Sequence, residues 1–398
     1  MSKVAIIGGG ASGLVAAIYA SKNNDVTLFE KNSKCGKKIL VTGNGRCNYW
    51  NEDFDVKYFN STNKELLDNI ITEDNKKEVM KLFDRVGIVP NIVNGYYYPM
   101  SNQAVSVQTA LLKEVKECGV NILCDKTVAD IYFDNKYYIV TDGEKYEFDK
   151  IIISTGSYAG IKDKNIISYK ILEKFNHKIV KPLPALVKLV SNNFSLKESN
   201  GVRCDVSVKL VENDIEIGKE FGQLQITSDG LSGICVYQLS SQVARGLDNK
   251  NKEKIYINFI PWIDDFISFM DSRNNKIENR NVSELLDGIL NYKLVINLLK
   301  ISNIKITDNW NNIDLIKKEE LKKNLTNFCA NIDDTSDFSL AQTCSGGVLL
   351  SEINLSTMES LRQKGMFVTG EIIDVDGLCG GYNLGFAWIT GMIAGKNV

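Results

Sequence analysis

The sequence contains almost no histidine. Its 398 residues include a single one, His177, and this count excludes a metal site built from several histidines. His177 lies in YKILEKFNHKIV, where the pattern predicts a surface position near a helix end. A histidine-based catalytic triad is thus arithmetically possible but not favoured, and we expect no metal site.

Paired cysteines, excess charge and long apolar runs are missing as well. The nine cysteines are scattered and no CxxC occurs, which is typical of reduced thiols in the cytoplasm. The formal net charge of −2 disfavours a nucleic-acid partner. No apolar run approaches the roughly 20 residues that span a bilayer, and no leader precedes the first strand. These absences predict a cytoplasmic protein with no membrane, nucleic-acid or obligate protein partner.

A glycine-rich turn lies near the start of the sequence, in VAIIGGGASGLVAAIYASKNNDVTLFEK. The segment predicts a buried strand, a turn, an alanine-rich helix and a second strand, which is the context that makes GxGxxG informative. Gly8, Gly10 and Gly13 occupy the three glycine positions. Glu30 follows the second strand, where an acid binds ribose hydroxyls and would repel a 2′-phosphate. This unit predicts a dinucleotide held at a helix N-terminus.

The next part of the chain predicts helices over residues 63–86 and 103–117, followed by short strands from VNILCD onward. Asp142-Gly143, between alternating residues, is a hairpin signal. The run closes with an apolar strand over 151–154 that leads into a Thr-Gly loop. A parallel strand, a β-meander crossover and another parallel strand resemble the FAD domain of glutathione-reductase-type proteins.

The middle of the chain reads as an insertion. KPLPALVKL marks a boundary, strands and one helix follow it, and after Pro261 the pattern changes to helices, including ELKKNLTNFCANI. We therefore predict an α/β FAD-binding Rossmann domain, with a parallel sheet and a β-meander crossover, from residues 1–186 and 342–398. The inserted β-plus-α domain is expected to comprise a mainly β part, 187–261, and a helical part, 262–341.

Four blocks resemble one family of bacterial NAD(P)/FAD-dependent oxidoreductases, the aminoacetone-oxidase-family FAD-binding enzymes, which include a bile-acid dienone reductase. The blocks are IIGGGASGLVAA, KILVTGNGRCN, QITSDGLSG, and SGGVLLSEINLSTMES continuing through GEIIDVDGLCGGYNLGFAW. Some members have THxGxSGP where this chain has TSDGLSGI, so Ser228 and Ile234 stand at the His and Pro positions. A role for that histidine therefore does not carry over.

The resemblance implies a set of FAD contacts. Val128 would meet the adenine through its backbone, Thr155-Gly156 would line the adenosine side, and Gly370-Glu371 would reach the ribityl chain. The start of the final helix would direct N–H groups at the isoalloxazine. The full set of expected FAD-binding residues is Gly8, Gly10, Ala11, Ser12, Gly13, Glu30, Lys31, Lys38, Thr42, Gly43, Gly45, Arg46, Val128, Thr155, Gly156, Gly370, Glu371, Gly381, Tyr382, Asn383 and Leu384.

TGNGRCN would then run beside the pyrophosphate and the ribityl chain towards the flavin. Arg46 can neutralise a phosphate or a substrate carboxylate, and Cys47 and Asn48 would stand at the flavin's edge. Since no histidine is available as a general acid, Tyr97, Tyr98, Cys47 or Arg46 would deliver a proton or polarise the substrate. Two alternatives stay open: Cys47 as inert packing, and the GYYYP tyrosines as an aromatic edge of the core.

The expected function is FAD-dependent reduction of a small molecule with an activated C=C or C=O bond. No second strand–GxGxxG–helix unit exists, so NADH or NADPH would bind transiently as electron donor. No CxxC or CxxxxC follows the fingerprint, which disfavours a flavin–disulfide relay. The alternatives are an amine oxidase that uses oxygen, and a non-catalytic flavin-binding sensor or RNA-modification partner.

Overall fold

The computed structural model describes residues 1–160, 167–277 and 279–398. Its strands are β1 (Lys3–Ile7), β2 (Asp25–Phe29), β3 (Trp50–Asn51), β4 (Phe59–Asn60), β5 (Pro90–Val93), β6 (Tyr96–Pro99), β7 (Asn121–Leu123), β8 (Asp130–Asp134), β9 (Lys136–Val140), β10 (Lys145–Phe148), β11 (Lys150–Ile153), β12 (Ile179–Ala185), β13 (Leu189–Val190), β14 (Arg203–Glu212), β15 (Ile215–Thr227), β16 (Gly230–Ser232), β17 (Glu253–Asn258), β18 (Phe328–Ile332), β19 (Asp334–Thr335), β20 (Thr343–Val348), β21 (Met366–Val368) and β22 (Asp376–Gly377).

The helices are α1 (Ala11–Ala20), α2 (Glu73–Arg85), α3 (Ala104–Glu117), α4 (Ile167–Lys174), α5 (Ile234–Asp248), α6 (Phe266–Lys276), α7 (Val282–Leu286), α8 (Tyr292–Ile301), α9 (Leu315–Thr326) and α10 (Tyr382–Asn397). Short 3₁₀ turns lie between several of these elements. In the described ranges, no helix combines the length and the apolar character needed to cross a bilayer.

The first unit, Met1–Pro182 with Thr343–Val398, is built on a five-stranded parallel sheet. The strand order is β21-β11-β1-β2-β7, so the strand before the glycine turn lies at the centre. Strands β1 and β11 are apolar on both faces, as expected of buried parallel strands, and both α1 and the strands β9 and β10 pack against them. α1 is almost wholly buried and packs along α10, so elements from distant parts of the chain share one core.

The β-meander of the first unit is β8, β9 and β10, three antiparallel strands in consecutive order. The Asp142-Gly143 turn joins β9 to β10, as the sequence predicted. VNILCD, expected to open this run, instead supplies β7, the parallel edge strand beside β2. The predicted Rossmann domain with a parallel sheet and a meander crossover is confirmed.

The second unit, Leu183–Gln342, contains a seven-stranded sheet of order β18-β17-β14-β15-β16-β13-β19. Its neighbouring strands pair antiparallel, and α5 packs on β14 and β15. Helices α6 to α9 share one hydrophobic core with this sheet. The structure thus gathers into one unit the residues for which the sequence predicted a mainly β part and a helical part.

Two predicted helices differ from the structure. Residues 63–86 do not form one helix: a 3₁₀ turn covers Lys64–Asn69, and α2 starts only after Thr72, whose side chain accepts the N–H of Asn75. This N-cap gives α2 its own beginning. The segment ELKKNLTNFCANI forms the end of α9 and then a strand, because its last residues pair with β17.

Candidate functional site

The candidate site lies at the carboxyl edge of the parallel sheet. Gly8 follows β1, Glu30 follows β2, Thr155 follows β11 and Gly370 follows β21. Because these strands are parallel neighbours, their four loops meet at one edge, where open α/β sheets bind their ligands. The structure thus brings together residues that lie far apart in the sequence.

The glycines of the first loop have two different roles. A Cβ on Gly8 would lie 2.5 Å from the carbonyl oxygen of Ser154, and one on Gly13 would lie 1.9 Å from that of Gly8. Both positions are therefore closed by neighbouring backbone. A Cβ on Gly10 would meet no atom within 4 Å, so the backbone there faces open space next to the start of α1. This is the cradle that a pyrophosphate needs.

Glu30 is buried and joins the glycine loop to the loop after β2. Its Oε2 accepts the N–H of Gly9 at 2.9 Å. Its Oε1 accepts the backbone N–H of Asn32 at 2.8 Å and the side-chain amide at 2.6 Å. A carboxylate has about four acceptor positions, so one stays for a ribose hydroxyl.

A carboxylate also connects the loops on the other side of the glycine turn. Glu371 forms an ion pair of 2.7 Å with Lys38 and accepts a short hydrogen bond from Ser157. The Oγ1 of Thr155 is buried and has no hydrogen-bond partner among the described residues. A buried hydroxyl without a partner is costly unless a ligand satisfies it, which fits a cofactor at this edge. Ser157 was missed from the sequence because a lone serine after a Thr-Gly turn carries no signal.

The start of α10 packs against the segment that follows TGNGRCN. Gly381 is left-handed with φ of 89°, and a Cβ on it would lie 2.6 Å from the carbonyl oxygen of Trp50. The Asn383 side chain accepts the N–H of Gly377 at 2.8 Å and donates to its carbonyl at 2.7 Å. This arrangement fixes the loop before the helix and leaves the helix N-terminus available to negative charge.

Tyr382 is buried rather than facing open space. Its ring stacks on Tyr58 at 4.7 Å and packs against Phe54 and Phe59. Burial raises the pKa of its hydroxyl, so the group stays protonated. The next two residues expected to bind FAD, Asn383 and Leu384, are half-buried at the same helix end.

The segment TGNGRCN forms a tight turn with an unusual backbone. Gly43, Asn44, Gly45 and Cys47 all have φ between 55° and 82°. The N–H of Cys47 donates to the carbonyl of Thr42 at 2.9 Å and closes the turn. Glycine adopts this conformation without strain, but Asn44 and Cys47 are non-glycine residues in it, and such residues concentrate at functional sites.

Cys47 does not stand at an open edge. Its side chain is fully buried in the core, and burial raises the pKa of its thiol to about 12. The expectation of a catalytic thiol is therefore wrong for this structure, and the packing alternative is favoured. Asn48 is half-buried, with its amide against the carbonyls of Trp50 and Tyr97 at 2.9 and 3.2 Å.

The neighbouring Arg46 has the opposite environment, because its side chain is exposed. Its guanidinium carbon lies 4.5 Å from the ring centre of Tyr98 in β6. Tyr97, the other tyrosine proposed for catalysis, is half-buried and makes an edge contact with the ring of buried Tyr49. The structure therefore uses the GYYYP tyrosines partly as an aromatic edge of the core.

Val128 and Lys31 lie beside the Glu30 loop and differ in exposure. Val128 is buried ahead of β8, just after Lys126, whose N–H donates to the carbonyl of Glu30 at 3.0 Å, and Lys31 is exposed after Glu30. Ala11 and Ser12 belong to the candidate site, since they begin α1, and Ser12 lies beneath Gly370.

His177 is buried, which corrects the predicted surface position. Its Nδ1 lies 3.1 Å from Glu352 and its Nε2 lies 2.7 Å from the hydroxyl of Ser360. All three residues are buried, so we assign this Ser-His-Glu arrangement a structural role and no contact with the substrate. Glu352 and Ser360 lie about 180 positions after His177 in the sequence. The residues near His177 therefore give no sign of its buried partners, and the local pattern suggested a surface position.

Comparisons with known proteins identify the family of this chain. The family model described as HI0933-like protein Rossmann domain matches residues 2–397. The chain belongs to the HI0933-like family. This family assignment, together with a relative named as a reductase, makes the protein an FAD-dependent oxidoreductase. The glycine cradle, the buried Thr155 hydroxyl and Glu30 fit FAD.

The chain is similar to the following three proteins. The 3-dehydro-bile acid Δ(4,6)-reductase of Clostridium scindens is 33% identical over 100% of this chain and 98% of its own length. The ribosomal RNA dihydrouridine synthase of Escherichia coli is 26% identical over 96% of this chain and 94% of its own. The structure of 3-ketosteroid-Δ4-(5α)-dehydrogenase from Rhodococcus jostii is 13% identical, covering 100% of this chain and 96% of that one, with a TM-score of 0.48.

Proposed function

We propose that the protein takes hydride from a transiently bound NADH or NADPH and reduces an activated C=C or C=O bond in a small molecule. The observation that carries this proposal is the full-length similarity to a relative named as a Δ(4,6)-reductase. The second relative is named for dihydrouridine, which is uridine with its C5=C6 bond reduced. That bond is conjugated to a carbonyl, so both names point to the same class of acceptor bond.

The chain's own residues would bind and orient the cofactor. Gly10 and the N-terminus of α1 would hold the pyrophosphate, and Glu30 the adenosine ribose. Thr155 and Glu371, which follow β11 and β21, would bind the cofactor on the side of the glycine turn opposite to Glu30. FAD, when bound, supplies the transfer of two electrons between donor and acceptor. The α10 N-terminus would stabilise negative charge beside it by roughly 0.3–2 kcal/mol.

Proton delivery would come from a hydroxyl or from solvent. His177 is buried away from the site and Cys47 is held as a neutral thiol in the core. Tyr97 and Asn48 remain the polar side chains proposed beside the substrate. We place no thiol step in the reaction, because a thiolate is not available from Cys47 at neutral pH.

The test is anaerobic mixing of the purified yellow protein with NADH or NADPH, followed by addition of acceptors. Loss of the oxidised-flavin absorbance with either nucleotide, and its return with a 3-oxo-4,6-diene steroid or a cyclic enone, is the expected result. Return with oxygen alone would identify an oxidase. Return only with uridine-containing RNA would identify an RNA-modifying enzyme, and no loss of absorbance with either nucleotide would favour the sensor.

A further inference from the structure

We propose that Arg46 is an anion-recognition site that selects substrates carrying a carboxylate close to the bond to be reduced. This inference rests on the proposed function, because it names the class of compound that the same site would accept. It assigns Arg46 to substrate specificity rather than to proton delivery or to the cofactor phosphates.

The guanidinium of Arg46 is already held in place. Its carbon lies 4.5 Å above the ring of Tyr98, and its Nε lies 3.5 Å from the carbonyl oxygen of Gly43. Tyr98 is buried, so the ring is a fixed platform. A cation over an aromatic face gains about 0.5–1 kcal/mol at an exposed position. The Tyr98 ring thus covers one face of the guanidinium and the Gly43 carbonyl contacts its Nε edge. The two terminal nitrogens remain available to a ligand.

The backbone that carries Arg46 is rigid and strained. The left-handed residues Gly43, Asn44 and Gly45 precede it, and left-handed Cys47 follows. The N–H of Arg46 also donates to the carbonyl of Gly43 at 3.2 Å. A non-glycine residue in this conformation costs of order 1–3 kcal/mol and persists only where the surroundings enforce it. This backbone strain is explained if the turn has to hold the Arg46 side chain in position for a ligand.

The charge of Arg46 is not neutralised within the described part of the chain. No carboxylate there lies within ion-pair distance of it, whereas Arg85, Arg280 and Arg362 each pair with a glutamate. An exposed guanidinium with two free parallel N–H groups matches the geometry of a carboxylate. The site is thus complete except for its anion.

The position along the chain favours the reacting end of the site. Trp50, only four residues after Arg46, contacts Gly381 at the start of α10. Four residues span at most about 14 Å, so the backbone of Arg46 lies within that distance of Trp50. Arg46 is therefore tethered near the helix N-terminus. Its tether to the glycine loop is longer, since Gly36 is the residue that bonds Gly9.

The experiment compares an acid with its neutral ester in the oxidised FAD-loaded protein. The probes are two cyclic enone acids whose carboxylate lies next to the conjugated bond, a cyclohexenone carboxylate and a cyclopentenone carboxylate, each beside its methyl ester, and binding is followed by perturbation of the flavin absorbance. The variants are Arg46→Gln and Arg46→Lys. The control is Arg85→Gln, which removes the same charge from an arginine that lies 6.0 Å from the ring of Tyr19.

Wild type should bind at least one acid more tightly than its ester. Arg46→Gln should weaken that acid by about 10- to 100-fold, the loss expected for a hydrogen bond to a charged group, and should change ester binding less than about twofold. Arg46→Lys should recover only part of the affinity, because the ammonium lacks the planar fork. FAD content and the KM for NADH and NADPH should stay unchanged, and Arg85→Gln should behave as wild type.

Several results would overturn the proposal. They are an absence of acid preference in wild type for both pairs, an equal loss for acid and ester, a loss of FAD from Arg46→Gln, and an effect confined to the KM of the nucleotide donor. Binding of RNA that depends on Arg46, with no preference for the acids, would also overturn it. The titration needs neither donor nor turnover, so failure of the proposed reaction would be seen separately, in the flavin-reduction experiment.

Discussion

Among single residues, Glu30 connects the most parts of the site. Its three hydrogen bonds hold Gly9 and Asn32, and its remaining acceptor position is available to the proposed ribose hydroxyl. Glu30→Gln would replace one acceptor oxygen by an N–H donor that faces other donors. We expect the affinity of the apoprotein for FAD to fall by about 10- to 100-fold, measured by fluorescence titration.

The matched control is Glu117→Gln, an exposed glutamate at the end of α3 that pairs with Lys113. It should bind FAD as wild type does. An unchanged FAD affinity in Glu30→Gln would remove the ribose assignment and leave Glu30 as a loop-positioning residue only.

Cys47 gives a second prediction at this scale. Because its thiol is buried and its pKa is raised to about 12, it should resist alkylation by iodoacetamide in the native protein. Exposed Cys329 should be modified first and serves as the internal control. Mass spectrometry of timed samples measures both sites. Rapid modification of Cys47 at the rate of Cys329 would mean that the 42–48 turn opens readily.

The residue-scale interpretation from sequence succeeded where the signal was local. Gly8, Gly10 and Gly13 could be recognised together because a turn between a strand and a helix fixes their spacing. The different environments of adjacent Arg46 and Cys47 could not be predicted. Arg46 is exposed and Cys47 is buried because of the left-handed turn that carries them. Dihedral angles of this kind leave no pattern in the residue types on either side.

At the scale of elements, the buried histidine joins the end of the α4 segment to the loop between β20 and β21. The neutral ring satisfies every group: Nδ1–H donates to Glu352, and Nε2 accepts from Ser360, whose oxygen accepts the N–H groups of Arg362 and Gln363. A proton on Nε2 would leave the Ser360 hydroxyl with no acceptor in this network. Burial accordingly lowers the pKa of His177.

This network predicts a loss of stability in mild acid. A histidine in the unfolded chain has a pKa of about 6.5. Below that pH the unfolded chain binds a proton at His177, whereas the folded chain, in which the pKa is lowered, does not yet bind it. The free energy of unfolding should then fall by up to about 1.36 kcal/mol per pH unit, until the pH passes the lowered folded pKa. Urea unfolding from about pH 7.5 to about pH 5 measures the slope.

His177→Gln provides the comparison, because it removes the titration and keeps a polar side chain. The difference between wild type and variant should shrink as the pH falls. Since the protein has one histidine, its imidazole NMR signal also reports the titration directly. A midpoint at or above about 6.5 would contradict the lowered pKa.

Most elements could be predicted because their periodicity is local. The buried strands β1, β2 and β11, the hairpin at Asp142-Gly143 and the start of α10 match their sequence signals. The failures depended on partners elsewhere: β7 was assigned to the meander although it pairs with β2, and β18 was taken for a helix end although it pairs with β17. Pairing between distant segments is not encoded in the periodicity of either one.

For the whole molecule, FAD is expected to stabilise the unit that binds it. At a concentration 100-fold above Kd, a ligand adds about 2.7 kcal/mol to the stability of the state that binds it. Hydrogen exchange with mass spectrometry should therefore show added protection in β1, α1 and α10 after FAD is supplied to the apoprotein. Peptides from β14 and β15 in the second unit are the internal control. Equal protection in those peptides would mean that FAD stabilises the two units as one cooperative block.

The discontinuity of the first unit has a consequence for how the protein is made. Residues 183–342 lie in the chain between β11 and β21, so the ribosome completes the whole second unit before it produces the last strand of the parallel sheet. Until then α1 lacks its packing partner α10, and the nascent chain carries a partly uncovered apolar helix. We therefore expect flavin loading to follow translation of the insert, and a prematurely released chain, which lacks β21 and α10, to retain FAD poorly.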